Sequence, residues 1–220
     1  MTEVRPLMHA IQNRDLAAAK AALERDASQA TDPLPGGLSP LLLALYHGAR
    51  DIAELLRGFR TPDAHECAAL GDARALAALV AADPALLERY SEDGWTLLHL
   101  AAFFGARDAA LVLIGLGAPL EARSKNPMNN TPLHAALSGA AGESLSPLLI
   151  ALGADVKTIG GSGVGALHLA AARGFEPLCK LLLSRGAPLA AATDEGKTAA
   201  ALSRERGHLA VAAMLELAVA

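Results

Sequence analysis

The chain has 220 residues, of which 52% are hydrophobic and only 3% aromatic, and it carries a formal net charge of −4. A chain of this length forms one large domain or two small ones. Its apolar residues are mostly alanine and leucine, which favour helices, so the composition predicts an all-α fold. Basic and acidic residues are interspersed without a clustered basic face, which argues against a nucleic acid partner.

Three features predict a cytoplasmic protein that does not associate with membranes. The initial segment MTEVRPLMHAIQNRD is charged throughout and lacks the apolar centre of a secretory signal. The longest apolar stretch, residues 109–120, is too short to cross a bilayer. Cys67 and Cys179 lie far apart in the chain and are interpreted as reduced thiols rather than a disulfide framework.

Seven related segments follow one another along the chain. One shared position near the start of each is occupied by Met8, Leu42, His65, His99, His134, His168 and Ala201. This position advances by 33 to 35 residues, except between Leu42 and His65, where the step is 23. The predicted units are approximately 5–36, 37–60, 61–93, 94–128, 129–162, 163–195 and 196–220.

The physical chemistry of one unit predicts two short helices. In the fifth unit Thr131 is a good helix N-cap, and Pro132 stands in a first turn, where no N–H donor is needed. A glycine about six residues after the histidine position ends the first helix in most units, and a second apolar helix follows. Neither helix buries its apolar face alone, so neighbouring units must stack. We therefore expect one domain over residues 1–220, a solenoid of about seven stacked helix-turn-helix units with divergent terminal units.

The repeated pattern resembles a known family. A period near 33 residues with T-P-L-H-x-A at the head of the unit resembles the ankyrin repeat. TPLHAA at 131–136 and GADV at 153–156 match that family outright, and the resemblance extends over essentially the whole chain. It implies an ankyrin-repeat solenoid. It also implies that the recurring histidine bonds the turn before its helix and the loop of the next unit.

Two irregularities lead to specific expectations. In the short step between the second and third units the extended finger is missing, so residues 60–64 should lead directly into the next helix and leave a notch. In the fifth unit Pro147 stands in the middle of the second helix. Because proline is tolerated only in a first turn, this helix should begin late, near Ser144 to Ser146.

Residues that suggest chemistry each have a structural interpretation. The recurring histidines would be about 10 Å apart in stacked units, too far to share a metal ion at bonds of ~2 Å. HEC at 65–67 lacks the second histidine of a helical zinc site, and GGSGVG at 160–165 lacks the Lys-Ser/Thr of a phosphate-binding loop. No G-x-S-x-G is present. We expect no catalytic residue, no metal site and no cofactor, and hence a protein that is not an enzyme.

The stretch DGWTLLHLAAFFGA, residues 93–106, combines a tryptophan with two phenylalanines. The resemblance implies that Trp95, Phe103 and Phe104 face outward along the concave surface. Alternatively, Phe103 leans into the next unit and Trp95 covers its own turn. The predicted partner-binding residues are Trp95, Phe103, Phe104, Tyr46, His47, Met128, Asn130 and Arg173. The predicted polar rim consists of Glu92, Arg123, Lys125 and Lys197.

These features predict a monomeric, non-catalytic scaffold that binds a partner protein through its concave groove and finger loops, because exposed aromatic residues in a groove are typical of interface hot spots. Two alternatives stay open at this point. The chain could be an enzyme or enzyme subunit with a site in the groove, or a structural subunit of a larger assembly.

Overall fold

The structure is a computed structural model that describes residues 5–34 and 36–218. This part of the chain contains fourteen α-helices and no β-strand beyond isolated bridges. The helices are α1 (Pro6–Gln12), α2 (Leu16–Arg25), α3 (Pro40–Tyr46), α4 (Arg50–Arg57), α5 (Ala64–Leu70), α6 (Ala73–Ala82), α7 (Leu97–Phe103), α8 (Arg107–Gly115), α9 (Pro132–Ser138), α10 (Gly142–Ala151), α11 (Ala166–Ala172), α12 (Glu176–Ser184), α13 (Ala199–Glu205) and α14 (Leu209–Leu217). The predicted all-α class is confirmed.

The helices form pairs that stack into two layers. Within a pair the two helices pack against each other, as α3 does with α4 and α7 with α8. The first helices of successive pairs also pack together, from α1 on α3 through to α11 on α13, and second helices meet in the same way, as α6 does with α8. This arrangement is the predicted helical repeat solenoid. The unit boundaries, and a single domain over the whole chain, stay predictions.

Local signals mark the ends of several first helices, as α7 and α5 show. At the start of α7, the Thr96 side chain accepts a hydrogen bond from the backbone N–H of His99, and His99 in turn accepts from the backbone of Thr96. After α5, Gly71 takes a left-handed conformation with φ 83°. Glycine adopts this conformation without steric cost, so it ends the helix and turns the chain into the second helix of the pair.

As predicted, the described residues form no finger between the second and third units. Arg60–Asp63 lead directly from the end of α4 into α5, and isolated bridges close other loops, as between Tyr90 and Thr96. The loop before α3 therefore contacts the loop before α7. The contact is so close that a Cβ added to Gly37 would lie only 2.6 Å from Cγ of Glu92. A depression of about 310 Å³, lined in part by Asp63 and His65, lies at this point. The predicted notch is present.

The prediction that the second helix of the fifth unit begins late is wrong. Helix α10 begins at Gly142 and continues through Pro147 to Ala151. Pro147 lacks the N–H that would bond the carbonyl of Glu143, but Glu143 is exposed, so water can bond that carbonyl. The backbone N–H of Leu145 bonds the carbonyl of Ala141 and closes the first turn before the proline is reached.

The buried apolar residues form two clusters rather than one. The first runs from Leu7 to Leu56 and belongs to the first two helix pairs. The second runs from Leu42 to Leu215 and joins the remaining pairs. The two clusters meet where the finger is missing. None of the helices in the described part of the chain has the length and apolar character needed to cross a membrane.

Candidate protein-binding site

Four aromatic side chains gather at the ends of α3 and α7. The ring of Tyr46 lies 5.8 Å from that of Phe103 and 5.1 Å from that of Phe104, measured between centroids. Phe103 and Phe104 meet edge to face at 5.2 Å, and Trp95 lies 5.9 Å from Phe103. Aromatic pairs at these separations attract each other beyond the effect of buried area. We call these four residues the aromatic cluster.

The aromatic cluster reaches across an entire helix pair. Tyr46 belongs to the second pair and the two phenylalanines to the fourth. At the position of Tyr46 and Phe103 in the repeat, the third pair has Ala69, whose small side chain leaves room above α5. The hydroxyl of Tyr46 also donates a hydrogen bond to Asp93, in the loop before α7. Burial, together with the Asp93 carboxylate, raises the pKa of Tyr46 above its usual value.

The expectation that Trp95 faces outward is wrong. Its side chain is only 5% exposed and packs at the edge of the His99 ring, with centroids 5.3 Å apart. Trp95 follows the turn at Gly94 and its backbone is tied to Ser91, so its indole is turned into the core below the loop. The alternative in which Trp95 covers its own turn fits the structure better. Phe103 and Phe104, in contrast, are half-buried.

An open depression of about 350 Å³ lies along the C-terminal ends of the first helices. It brings together five of the residues singled out in the sequence: Tyr46, His47, Phe103, Phe104 and Arg173. Two further arginines, Arg14 and Arg50, line the same depression. These seven residues define what we call the aromatic-basic groove. Its floor is aromatic, and all of its charged lining residues are arginines.

Arg14 and Arg50 were missed by the sequence analysis, although Arg14 carried a signal. Arg14 stands six residues after Met8, at the position that Gly48 and Gly105 occupy in their units. It has the same left-handed conformation as those glycines, with φ 55°. An arginine where most units have glycine is costly for the backbone, which makes its side chain a candidate for function.

A second depression, of about 310 Å³, continues from the groove at Ser138 on α9. Its apolar lining includes Met128, Val164 and Leu169, and no charged side chain lines it. Met128 is 48% exposed, as expected for a contact residue. We call this region the apolar depression.

Asn130 is not an exposed contact residue, contrary to expectation. It is only 7% exposed, although it lines the wall of the apolar depression, and its backbone is hydrogen-bonded on both sides. Its N–H donates to Ser124 and its carbonyl accepts from His99. Asn130 therefore supports the loop from which Met128 projects.

The four predicted rim residues do not form one rim, because each belongs to a different loop contact. Glu92 lies at the notch beside Gly37. Arg123 is half-buried and donates to the carbonyl of Ile159 over 2.8 Å, which ties two successive loops together. Lys125 lies 4.1 Å from the centre of the Tyr90 ring. Lys197 pairs with Glu195 and Glu205.

Two of the recurring histidines, His99 and His168, link successive pairs through hydrogen bonds. In His99 the Nδ1 atom accepts from the backbone of Thr96 and lies 2.8 Å from its hydroxyl, while Nε2 lies 2.9 Å from the carbonyl of Asn130. His168 repeats the pattern toward Ala191. Burial lowers the pKa of His99 to about 4, and burial together with the charge of Arg123 lowers the pKa of His134 to about 4. The structural interpretation is confirmed in its geometry for His99 and His168, whereas His134 bonds Thr131 through Nδ1 and its buried Nε2 has no hydrogen-bond partner among the described residues.

The two cysteines are buried and not bonded to each other. Burial raises the pKa of the Cys67 thiol to about 11 and that of Cys179 to about 12. Because the thiolate is the reactive form, neither side chain is activated as a nucleophile.

Two models of known protein families match this chain. A family model for ankyrin repeats in three copies matches residues 64–159, and a model for a single ankyrin repeat matches residues 162–194. The chain belongs to the ankyrin-repeat family. Ankyrin repeats generally serve as protein–protein interaction modules and are typically non-catalytic.

Several curated proteins are similar to this ankyrin-repeat chain. It is 33% identical over 177 residues, 80% of its length, to a transient receptor potential cation channel subfamily A member 1 homolog of Caenorhabditis elegans. It is 34% identical over 46% of its length to the mouse B-cell lymphoma 3 protein homolog, and 31% identical over 75% of its length to human neurogenic locus notch homolog protein 2. The matched region makes up 14%, 22% and 6% of these relatives, so this chain corresponds to only a small part of each.

Proposed function

We propose that this ankyrin-repeat protein is a non-catalytic scaffold that binds a partner protein through the aromatic-basic groove. One observation carries the proposal: five side chains from three different helix pairs, predicted from their positions in the repeat, line a single open depression. Half-buried aromatic rings on such a floor offer apolar area that is already ordered. A partner can therefore bury this area at a small cost in side-chain entropy.

The contact surface in this proposal extends beyond the groove. The loop around Met128 projects beside the apolar depression, so the partner touches finger loops as well as helix ends. In this proposal the protein acts as a monomer, since one chain supplies every residue of the groove and no second copy is needed to complete it. A cytoplasmic location is consistent with the two buried, unpaired cysteines, since reducing compartments keep thiols free.

The non-catalytic part of the proposal has its own support. His99 uses both ring nitrogens in hydrogen bonds that join its helix to neighbouring loops, and His134 uses its Nδ1 atom in the same way. Their lowered pKa values keep them neutral near pH 7 and tie them to the packing. The cysteine thiols are protonated for the reason given above.

The proposal is tested by capturing partners from the native cell with the wild-type chain and with two matched variants. Phe104→Ala removes a ring from the groove, whereas Phe59→Ala removes an exposed ring just after α4, outside the groove. We expect the wild type and Phe59→Ala to retain the same partner and Phe104→Ala to lose it. Loss of a hot-spot ring weakens binding by about 2 kcal/mol or more. A partner retained equally by Phe104→Ala would contradict the proposal, provided that circular dichroism shows the variant to be folded.

A further inference from the structure

The aromatic-basic groove has a charge opposite to that of the whole protein. The chain carries a net charge of −4, yet Arg14, Arg50 and Arg173 line this one depression and no carboxylate lines it. Among the described residues, none of the three guanidinium groups forms an ion pair. Positive charge is therefore concentrated here without an internal counterion.

One of these arginines is held in place by hydrogen bonds, and a second lies close to the chain at Gly48. Arg173 Nη1 donates to the carbonyls of Ser138 and Gly139, each over 2.9 Å, at the end of α9. Those carbonyls have no partner within their own helix, so they accept a cation readily. The Arg14 guanidinium carbon lies 3.9 Å from the place that a Cβ on Gly48 would take. The Arg14 side chain therefore lies within van der Waals reach of the chain at Gly48, beside the groove.

Three arginines that line one depression favour a particular kind of ligand. A guanidinium group presents several N–H donors in one plane, and it forms short, charge-assisted pairs with carboxylates. At Ser138 the groove opens into the apolar depression around Met128 and Leu169, where no charged side chain is present. The surface thus offers cationic donors at one end and apolar contacts at the other.

We infer that the occupant of the aromatic-basic groove is an acidic segment of the partner protein. Its carboxylates pair with Arg14, Arg50 and Arg173, and an apolar side chain close by in the same segment fills the apolar depression. This inference rests on the proposed function. A nucleic acid fits less well, because a phosphate backbone needs a basic track along the surface, whereas here the basic residues occupy one depression in an acidic protein.

The inference is tested by selecting binders from a library of short random peptides displayed on phage. The groove variant carries Arg14→Glu and Arg50→Glu. Its matched control carries Arg74→Glu and Arg107→Glu, which change the net charge equally. Arg107 is the first residue of α8, as Arg50 is of α4, and neither control arginine lines the groove. Arg173 is left unchanged because its hydrogen bonds support the end of α9.

We expect peptides selected on the wild type to be enriched in Asp and Glu next to an apolar residue. They should bind the control with unchanged affinity and the groove variant at least about tenfold more weakly, which is 1.4 kcal/mol. Their dissociation constant should rise with added salt, since salt screens exposed charges. Exchange of Asp and Glu for Asn and Gln in the selected peptide should cause a comparable loss.

Each of the other outcomes contradicts either the inference or the proposed function. If peptides bind in the groove without acidic enrichment, the inference fails while the proposed function stands. If no peptide is selected that Phe104→Ala weakens, the proposed function itself fails. If an oligothymidine probe binds the wild type more tightly than the selected acidic peptide, and the groove variant loses that binding, the occupant is a nucleic acid and the inference is overturned.

Discussion

The hydroxyl of Tyr46 donates a hydrogen bond of 2.6 Å to the Asp93 carboxylate, 47 residues further along the chain. A complete helix pair, α5 and α6, lies between these residues in sequence. The bond is possible because no finger stands between the second and third pairs and because Ala69 is small. It also bridges the region where the two hydrophobic clusters meet.

Replacement of Tyr46 by phenylalanine should therefore destabilise the protein. The variant keeps the ring contacts with Phe103 and Phe104 and loses one hydrogen bond to a charged group, which costs about 1–2 kcal/mol. Urea denaturation followed by circular dichroism measures this loss. Tyr90→Phe is the matched control, because the Tyr90 ring meets Lys125 through its face and phenylalanine preserves that contact. Equal stability of the two variants would show that the Tyr46–Asp93 bond contributes little.

Trp95 and Phe59 should differ sharply in their contribution to stability. Trp95 is 5% exposed and lies within the core, whereas Phe59 is 41% exposed. We expect Trp95→Ala to lower the free energy of unfolding by about 3–5 kcal/mol and Phe59→Ala by less than about 1 kcal/mol. Thermal unfolding of both variants measures the difference. A mild effect at Trp95 would restore the original expectation that its side chain faces outward.

The sequence predicted the repeat architecture because that architecture depends on local signals. Thr96 before its helix and Gly71 after α5 are caps that act within a few residues, and their recurrence defined the solenoid. The orientation of Trp95 depends instead on tertiary packing against His99 and Phe103. Repeat position places a residue on a loop or helix end, but it does not fix how far the side chain turns into the core.

Acidification should destabilise the protein through its buried histidines. The pKa of His99 and of His134 is lowered from 6.5 to about 4 in the folded chain. The unfolded chain therefore binds protons at a higher pH than the folded chain, and stability falls as pH decreases from 6.5 toward 4. Each histidine should account for a loss on the order of 2 kcal/mol between about pH 7 and about pH 5.

Urea denaturation at both pH values measures this dependence. The His99→Gln variant should be less stable near neutral pH, because Nε2 no longer donates to Asn130, but its stability should change less with pH. The decisive comparison is the slope rather than the absolute stability. An unchanged slope in this variant would indicate that His99 is protonated in the folded state as easily as in the unfolded state.

Glu66 is fully buried, and its carboxylate is paired with Arg60. It also accepts a hydrogen bond of 2.9 Å from the backbone of Asp63. Arg60→Ala would leave this buried charge with one partner fewer, so we expect a loss of about 2–4 kcal/mol. Adding Glu66→Gln to Arg60→Ala should restore part of the stability, because an amide needs no counterion. If the double variant is less stable than Arg60→Ala, the charge of Glu66 does not require Arg60.

The groove shows where prediction from sequence stops. Tyr46, Phe103 and Phe104 were predicted from repeat position and do line one depression. Arg50 was missed because its position in the repeat is occupied by different residue types from unit to unit, so no pattern marks it. Its place in the groove follows from the packing of the pairs, which brings the start of α4 close to the ends of α7 and α9.

Replacement of Arg14 by glycine should change the stability of the protein and its affinity for an acidic peptide in opposite directions. Its φ of 55° is unfavourable for a residue with a Cβ, by about 1–2 kcal/mol, whereas glycine adopts this conformation freely. Arg14→Gly relieves that strain, and the greater freedom of glycine in the unfolded chain offsets about 0.5–1 kcal/mol of the gain. We therefore expect Arg14→Gly to be more stable than Arg14→Ala by about 0.5–1 kcal/mol.

Both variants remove the guanidinium group, so both should bind an acidic peptide selected on the wild type equally weakly. Urea denaturation and a peptide-binding titration on the same samples separate the two effects. If Arg14→Gly bound the peptide as tightly as the wild type, Arg14 would not be part of the binding surface, and its backbone strain would need another explanation.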